Sequence, residues 1–539
     1  MLLKAVLLVA FFALMVIVGF LCRRSASDVS GFVLGGRKAG SWLTAFAYGT
    51  SYFSAVIFVG YAGQFGWKYG VASTWVGLGN AFIGSLLAWV ILGRRTRLIT
   101  QQLDSSTMPE FFGKRFGSGA LKTAASVIVF IFLVPYTASL YNGLSRLFAM
   151  AFDIDYTWCV LLMAVLTGAY VLLGGYMATA VNDFIQGIIM IFGIILVVGA
   201  VLNDNGGFMN ALVTLSKVEG ESGVGMNGPF VSFFGPQPLY LLGVVLLTSL
   251  GTWGLPQMVG KFYAIKNESA IAKGTVISTA FAFLVAGGCY FLGGFGRLYG
   301  DSIEYTASGT PVFDSIIPSM LSTLPDIVIG VVVILVMSAS MSTLSSLVIT
   351  SSSTLTLDII APLAGTIRSG RGAKHPARTG ASSGMAEKTK LVWLRLLVVF
   401  FIVISAAIAI VQAKSSVTFI AQLMGISWGA LAGAFLAPFL YGLYWKRTTA
   451  ASVWVSFGSG ILIMVGCMWA MFTGHVFISP YFTSPINAGF LAMLSGLVIV
   501  PVVSALTKAP DKPLVEDMFS CYDRLVVTHA SVALSGEDE

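Results

Sequence analysis

Residues 47–63, AYGTSYFSAVIFVGYAG, decide the fold of this chain. The stretch is apolar enough to lie in a bilayer, yet Gly49, Thr50, Ser51 and Ser54 interrupt it near its middle. A helix with glycine and small hydroxyl residues at membrane depth loosens its backbone hydrogen bonds only where protein, water or an ion takes up the freed carbonyls. The stretch is therefore predicted to be a broken helix that forms part of a binding site.

The composition of the chain requires a membrane. Of the 539 residues, 57% are hydrophobic and 10% are charged, and the mean hydropathy is +0.88, which is more apolar than a water-soluble fold could bury. Apolar segments of about 20 residues predict thirteen membrane spans. The net charge of +8 comes from basic residues in the short loops between these spans. Because membrane topology explains this placement, the charge does not indicate a nucleic-acid-binding protein.

The basic residues also predict the orientation of the chain in the cell (inner or plasma) membrane. Most of the 31 Lys and Arg lie in cytoplasmic loops if the N-terminus is outside and the C-terminus is cytoplasmic. The first apolar segment is too long for the core of a signal peptide, so we expect a retained helix. The five cysteines and three histidines are scattered and form no metal or catalytic motif, so an enzyme is not expected.

A second interrupted segment, LTSLGTWGLPQMVG, lies at 247–260 and carries Gly251, Gly254 and Pro256. It follows the first broken segment by five spans, and paired broken helices of this kind are typical of inverted-repeat transporters with a midplane site. The alternative is that these glycines and the proline only kink helices for packing. The predicted organisation is an extra N-terminal helix and loop (1–30), two five-helix repeats (31–203 and 204–445), two accessory helices (446–507) and a cytoplasmic tail (508–539).

A run of hydroxyl residues, MSASMSTLSS, occupies 337–346. On a helix, residues 339, 342, 343 and 346 share one face, so hydroxyl and carbonyl oxygens converge there. Hard cations such as Na⁺ prefer oxygen ligands, which such a face supplies together with a broken partner helix. The alternative is close packing, with each hydroxyl bonded back to its own helix.

Asp183, in AVNDFIQG, is the acidic residue that falls at a span. Asp183 opens the sixth predicted span, and an ionisable group at the membrane edge is costly unless it is paired or hydrated, which makes it a functional candidate. The alternative is that Asn182 and Asp183 cap the start of a helix. Several aromatic residues within spans are further candidates for a solute pocket, although most buried aromatics only pack the core.

The sequence resembles the sodium/solute symporter family, which includes proline, sialic acid, galactose and pantothenate symporters. The resemblance covers about residues 30–450 and rests on four stretches in order. They are GFVLGGRKAGSWLTAFAYGTSYFSA (31–55), YVLLGGYMATAVNDFIQG (170–187), MSTLSS (341–346) and ISWGALAGAFLAPFLYGLYWKR (426–447). It implies an all-α membrane protein with a five-plus-five inverted repeat whose first and sixth core helices are broken.

The resemblance also implies two Na⁺ sites. The first would consist of the carbonyls of Thr50, Phe53 and Ala339 with the hydroxyls of Ser342 and Thr343. The second, present in some members, would consist of Asp183, Ser345 and Ser346 together with Ser342. Two Na⁺ per transported solute are then expected.

Substrate residues of the known members do not transfer well to this chain. Sugar carriers place charged and amide side chains where Val56 and Ile57 stand, and proline carriers place aromatics near Thr248 and Thr252. The remaining candidates for a solute pocket, none of them charged, are Ser51, Tyr52, Ser54, Trp75, Tyr136, Tyr141, Trp253, Gln257 and Trp428.

We therefore expect a sodium-coupled secondary active symporter that imports a small organic solute by alternating access. An amino acid or a monocarboxylate is favoured. A sugar, sialate or vitamin carrier of the same family, or a proton-coupled carrier, is the alternative within this class, and a channel or a transporter-like sensor lies outside it. The expected partners are Na⁺, the solute and the lipid bilayer, and the chain is expected to work as a monomer.

Overall fold

A computed structural model describes residues 2–523 except 153, 219–227, 308, 365–384, 414–419, 476–478 and 480–482. Within these residues the chain is helical and has no β-strand, which confirms the all-α prediction. Most of the Gly-, Ser- and basic-rich stretch 363–389 and the end of the tail lie outside the described residues.

The described part of the first half of the chain contains ten α-helices. In chain order they are α1 (Leu2–Leu21), α2 (Val29–Leu34), α3 (Ser41–Tyr52), α4 (Ala62–Tyr69), α5 (Thr74–Gly79), α6 (Arg94–Gln102), α7 (Met108–Arg115), α8 (Gly119–Phe152), α9 (Tyr156–Asp204) and α10 (Phe208–Ser216). Wider π-helical turns adjoin three of these helices. Val56–Tyr61 leads into α4, Asn80–Leu87 follows α5, and Trp89–Gly93 leads into α6.

The second half contains ten more α-helices within the described residues. They are α11 (Pro238–Leu250), α12 (Pro256–Tyr263), α13 (Glu268–Gly293), α14 (Phe313–Ser322), α15 (Asp326–Thr354), α16 (Glu387–Ala413), α17 (Ile420–Tyr444), α18 (Ala450–Thr473), α19 (Pro485–Leu506) and α20 (Lys512–Phe519). A 3₁₀ turn, Gly251–Gly254, joins α11 to the start of α12.

Ten helices of the described part are long and apolar enough to cross a membrane, or eleven if Pro238–Gly254 and Pro256–Tyr263, which meet at 48°, form one span. Two of the ten, Val56–Gln102 and Tyr156–Asp204, have 47 and 49 residues. At 1.5 Å per residue, a straight helix of that length would be about twice the ~30 Å hydrocarbon core. The polytopic membrane fold is thus confirmed, whereas the count of thirteen spans, the repeat and its boundaries stay predictions.

Each of these two long helices is interrupted by one glycine in a left-handed conformation. Gly70 has φ 62° and ψ −143°, and Gly175 has φ 55° and ψ −145°. A side chain at Gly175 would also lie 2.9 Å from the carbonyl oxygen of Phe32. Only glycine adopts such a backbone without strain, so each long helix changes direction at its glycine.

The two segments that the sequence predicts to be broken are broken in the same way. Each break contains a residue with an extended backbone between two helical parts, Phe53 (φ −94°, ψ 129°) in the first and Leu255 (φ −88°, ψ 118°) in the second. The start of the first segment meets the end of the second, because the Ala39 amide donates to Ala264 O at 3.2 Å and the Lys266 amide donates to Ala39 O at 3.0 Å. The two broken helices therefore lie side by side in opposite directions.

Glycines bring α4 and α13 into close contact beside the first break. A Cβ at Gly66 would lie 1.8 Å from the carbonyl oxygen of Gly293, and a Cβ at Gly293 would lie 2.1 Å from that of Ala62. Small residues that let helix backbones approach are a main source of helix association in membranes. This contact holds the second part of the first broken helix against α13.

We predict that Gly66→Ala destabilises the protein because the added methyl group must push two backbones apart. Overpacking of this kind costs about 1–3 kcal/mol, so the thermal unfolding midpoint in detergent should fall. Gly199→Ala in α9 is the matched control, since a Cβ there meets nothing within 4 Å. Equal unfolding midpoints for the two variants would contradict this account of the helix contact.

Candidate cation and solute site

The first break places backbone carbonyls against the hydroxyl run. Helix α3 ends at Tyr52, and Phe53 and Ser54 lie outside any helix before the chain turns helical again at Ala55. Thr50, Phe53 and Ser54 are all buried. The carbonyls freed here therefore need partners from the neighbouring helix α15 rather than from water.

Five oxygens meet between α3 and α15, and we call them the first oxygen group: Thr50 O, Phe53 O, Ala339 O, Ser342 Oγ and Thr343 Oγ1. The Ser342 hydroxyl lies 3.1 Å from Thr50 O and 3.0 Å from Ala339 O. The Thr343 hydroxyl lies 3.4 Å from Thr50 O, 3.2 Å from Phe53 O and 3.1 Å from Ala339 O. The structure thus brings together the residues that the sequence predicts for the first Na⁺ site.

The proton count in the first oxygen group favours a cation. Only two hydroxyl protons, those of Ser342 and Thr343, are shared among five oxygen–oxygen contacts. All five residues are buried, so water does not screen the crowded lone pairs. A monovalent hard cation satisfies several oxygen ligands at once without needing a carboxylate, so the group fits Na⁺.

Asp183 lies deep in the protein and is not a helix cap. It follows the Gly175 interruption by eight residues, about two helical turns, and it is fully buried. The capping alternative is therefore wrong. Within the described residues, neither of its carboxylate oxygens has a hydrogen-bond partner.

A lysine lies in the second cation group, which we define as Asp183, Ser345 and Ser346. The Lys261 ammonium donates to Ser346 Oγ at 2.8 Å and lies 3.8 Å from Asp183 Oδ2. Lys261 is buried in α12 and does not lie in a loop between spans.

The two groups are connected through Ser342 and Ser51. The Ser345 and Ser346 hydroxyls donate to Ser342 O at 2.9 and 3.1 Å, and the Ser342 hydroxyl belongs to the first oxygen group. The Ser346 hydroxyl also lies 2.8 Å from that of Ser51. Ser51 therefore faces the second cation group and not an open solute pocket.

Four of the predicted solute residues form a cluster that we call the aromatic pocket: Tyr52, Ser54, Tyr136 and Trp428. The ring centroid of Trp428 lies 5.9 Å from that of Tyr52 and 6.0 Å from that of Tyr136. The Ser54 hydroxyl, the Tyr136 hydroxyl and the Trp428 indole N–H are buried without a hydrogen-bond partner in the described part of the chain. Buried polar atoms are normally paired, so the three unpaired atoms point to a bound polar molecule.

The other predicted solute residues have no ring contact or hydrogen bond with this cluster among the described residues. Trp253 donates its indole N–H to Ile83 O at 3.1 Å, and the Gln257 amide oxygen and the Tyr141 hydroxyl are buried and unpaired among the described residues. Trp75 lies apart: its indole donates to Phe233 O at 2.9 Å and its ring packs on Phe233 at 5.0 Å. The contacts recorded for Trp75 are thus with the 228–237 segment and not with the aromatic pocket.

Sequence reasoning misses Asn80, a buried residue beside the second break. Its amide oxygen accepts from Thr248 Oγ1 at 3.2 Å and from Ser249 Oγ at 2.9 Å, while its amide nitrogen is unpaired within the described residues. The available sequence signal is an asparagine inside an apolar span, which is costly without a partner.

A cavity reaches the second cation group from one side of the protein. It has a volume of about 40 Å³, and Ser106, Thr107 and Thr354 belong to its lining. Gln257 and Lys261 line its inner end together with Ser346. The cavity therefore connects the loop before α7 with the second cation group.

Comparisons with known proteins identify the family of the chain. The model of the sodium:solute symporter family matches residues 32–460. A sodium/proline symporter of Haemophilus influenzae is 29% identical over 444 residues, which are 81% of this chain and 82% of that protein. An osmoregulated proline transporter of Bacillus subtilis is 27% identical over 93% of this chain and 94% of its own length.

A solved structure has the same fold. It is a Na⁺-coupled sialic acid symporter in a substrate-bound outward-open state, with a TM-score of 0.70 and 16% sequence identity. The match covers 94% of this chain and 99% of that one.

We predict that Ser342→Ala combined with Thr343→Ala weakens Na⁺ binding at least tenfold, because both hydroxyl ligands are lost. Na⁺-induced thermal stabilisation of the purified protein measures this affinity. Ser340→Ala is the matched control, since this buried hydroxyl of the same helix only donates to Val336 O at 2.8 Å. An unchanged Na⁺ affinity in the double variant would remove the first oxygen group as the sodium site.

Proposed function

The chain belongs to the sodium:solute symporter family, and we propose that it imports a small zwitterionic amino acid, with proline as the leading candidate. It is a multi-pass membrane transporter and not an enzyme, and Na⁺ is its coupling ion. The observation that carries the proposal is the position of the aromatic pocket, whose residues Tyr52 and Ser54 lie on the same broken turn as Thr50 and Phe53 of the first oxygen group.

The short distance along the chain between the two sites supplies the coupling. Thr50 and Phe53 offer carbonyls to the ion, while Tyr52 and Ser54 face the aromatic pocket. Na⁺ fixes the conformation of this turn and thereby orders the solute ligands. A solute that binds the ordered turn in turn favours Na⁺ binding, because such a coupling free energy is reciprocal.

The chemistry of the aromatic pocket supports a small amino acid. Its side chains are uncharged, and its rings offer apolar faces to a compact aliphatic part of the solute. The unpaired hydroxyls of Ser54 and Tyr136 and the indole of Trp428 are donors for a carboxylate. The relatives named for proline support proline in particular, although Thr248 and Thr252 replace aromatic residues of proline carriers.

Alternating access follows from the two broken helices. In the proposed orientation, with the N-terminus outside and the C-terminus cytoplasmic, the cavity at Thr107 opens toward the cytoplasm. Release of ion and solute would then proceed past Gln257 once this cavity widens. Rocking of the broken helices against α9 and α15 would close the cavity and open the opposite side. A monomer holds all of these parts.

We expect purified protein in liposomes to accumulate radiolabelled proline only when an inward Na⁺ gradient is imposed. The uptake should saturate and should exchange internal for external solute, as a carrier does and a channel does not. Sarcosine, acetate and galactose serve as competitors that separate an amino-acid carrier from a monocarboxylate or sugar carrier. Na⁺-driven uptake of acetate or galactose without proline uptake would overturn the amino-acid assignment. The assignment of the chain to the symporter family would remain.

We predict that Tyr136→Phe raises the KM for the transported solute about 3- to 10-fold, because one hydrogen bond contributes about 0.5–1.5 kcal/mol. The matched control is Tyr441→Phe, whose hydroxyl donates to Leu497 O at 3.1 Å outside the aromatic pocket. Initial uptake rates over a range of solute concentrations measure the effect. Equal KM values for the two variants would exclude Tyr136 as a solute ligand.

A further inference from the structure

The second cation group contains a cation that belongs to the protein. Lys261 is 3% exposed, and its ammonium contacts groups from two other helices. These are Ser346 of α15 at 2.8 Å and Asp183 of α9 at 3.8 Å. The ammonium also lies 5.4 Å from the ring centroid of Tyr176.

The contacts of Lys261 are those that a second Na⁺ would require. A monovalent cation here needs the Asp183 carboxylate to balance its charge and the Ser346 hydroxyl as an oxygen ligand. Both are within 4 Å of the Lys261 ammonium, which is a compact unit charge with donors and no acceptor. With the ammonium in place, the carboxylate is already neutralised. An added Na⁺ would leave a net positive charge in a buried site, which is costly.

We propose that the Lys261 ammonium takes the place of the second Na⁺, so that the protein binds one Na⁺, at the first oxygen group, for each transported solute. The inference rests on the proposed function, since it presupposes the sodium site at Thr50, Phe53, Ala339, Ser342 and Thr343. It replaces the two-ion stoichiometry that the sequence resemblance implies.

The position of Lys261 in the fold adds a mechanical role. Lys261 belongs to α12, the second part of the second broken helix, whereas Asp183 and Ser346 lie on α9 and α15. Through Ser346 it also reaches Ser51 on the first broken helix. The tethered cation thus joins both broken helices to the two helices against which they would rock, and it stays with the protein when the solute leaves.

Equilibrium binding of radioactive Na⁺ to the purified full-length protein tests the stoichiometry without any solute. We expect one Na⁺ per wild-type protein and none in Thr343→Ala, because Thr343 belongs only to the first oxygen group. Lys261→Met vacates the second cation group and should bind two Na⁺. Lys261→Met with Asp183→Asn removes the carboxylate as well and should bind one, and Lys261→Arg is the charge-conserving control and should also bind one.

The outcomes separate this inference from the proposed function. Two Na⁺ per wild-type protein, or one Na⁺ remaining in Thr343→Ala, would overturn the replacement of an ion by Lys261 and leave a sodium symporter. No Na⁺ bound by the wild type would instead overturn the sodium site at the first oxygen group. The wild-type and Thr343→Ala results decide the question even if Lys261→Met does not fold. A folded Lys261→Met variant that still binds one Na⁺ would count against the inference.

Discussion

The structure depends on one constraint, namely that a carbonyl freed inside the hydrocarbon region must find a partner. Breaking a helix at Phe53 releases carbonyls that water cannot reach, and an unsatisfied buried polar group costs about 1–3 kcal/mol. Without an ion, the hydroxyls of Ser342 and Thr343 on α15 offset this cost by donating hydrogen bonds to the freed carbonyls. At the proposed sodium site the same hydroxyls would rotate to offer lone pairs to the ion, so one set of atoms would hold the helices together in both states.

The constraint explains what the sequence could predict. Glycine and hydroxyl residues at 49–54 and glycine and proline at 251–256 are local signals, and both breaks occur where these signals lie. The hydroxyl run at 337–346 is likewise local, and its helical spacing correctly predicts that Ala339, Ser342 and Thr343 face the same side. Local features of this kind need no knowledge of tertiary packing.

The features that sequence reasoning misses depend on packing between distant segments. Lys261 lies at the edge of an apolar segment, where hydropathy assigns it to a loop, and only the tilt of α12 directs its side chain toward Asp183, 78 positions earlier in the chain. Trp75 is a plausible pocket residue by its position in a span, but the fold of the 228–237 segment supplies its partner. Asn80 accepts its hydrogen bonds from Thr248 and Ser249, which belong to another helix.

A tethered cation changes the energetics of transport as well as its stoichiometry. Each charge moved inward is worth about 2.3 kcal/mol per 100 mV, so one Na⁺ with a zwitterion supports roughly 50-fold accumulation from the potential alone, against roughly 2,000-fold for two. A second Na⁺ within about 4 Å of the Lys261 ammonium would meet a repulsion of about 4 kcal/mol at the effective dielectric constant of a protein. That repulsion would weaken the binding of a second Na⁺ roughly 1,000-fold. A carrier of one Na⁺ therefore builds a shallower solute gradient than a carrier of two.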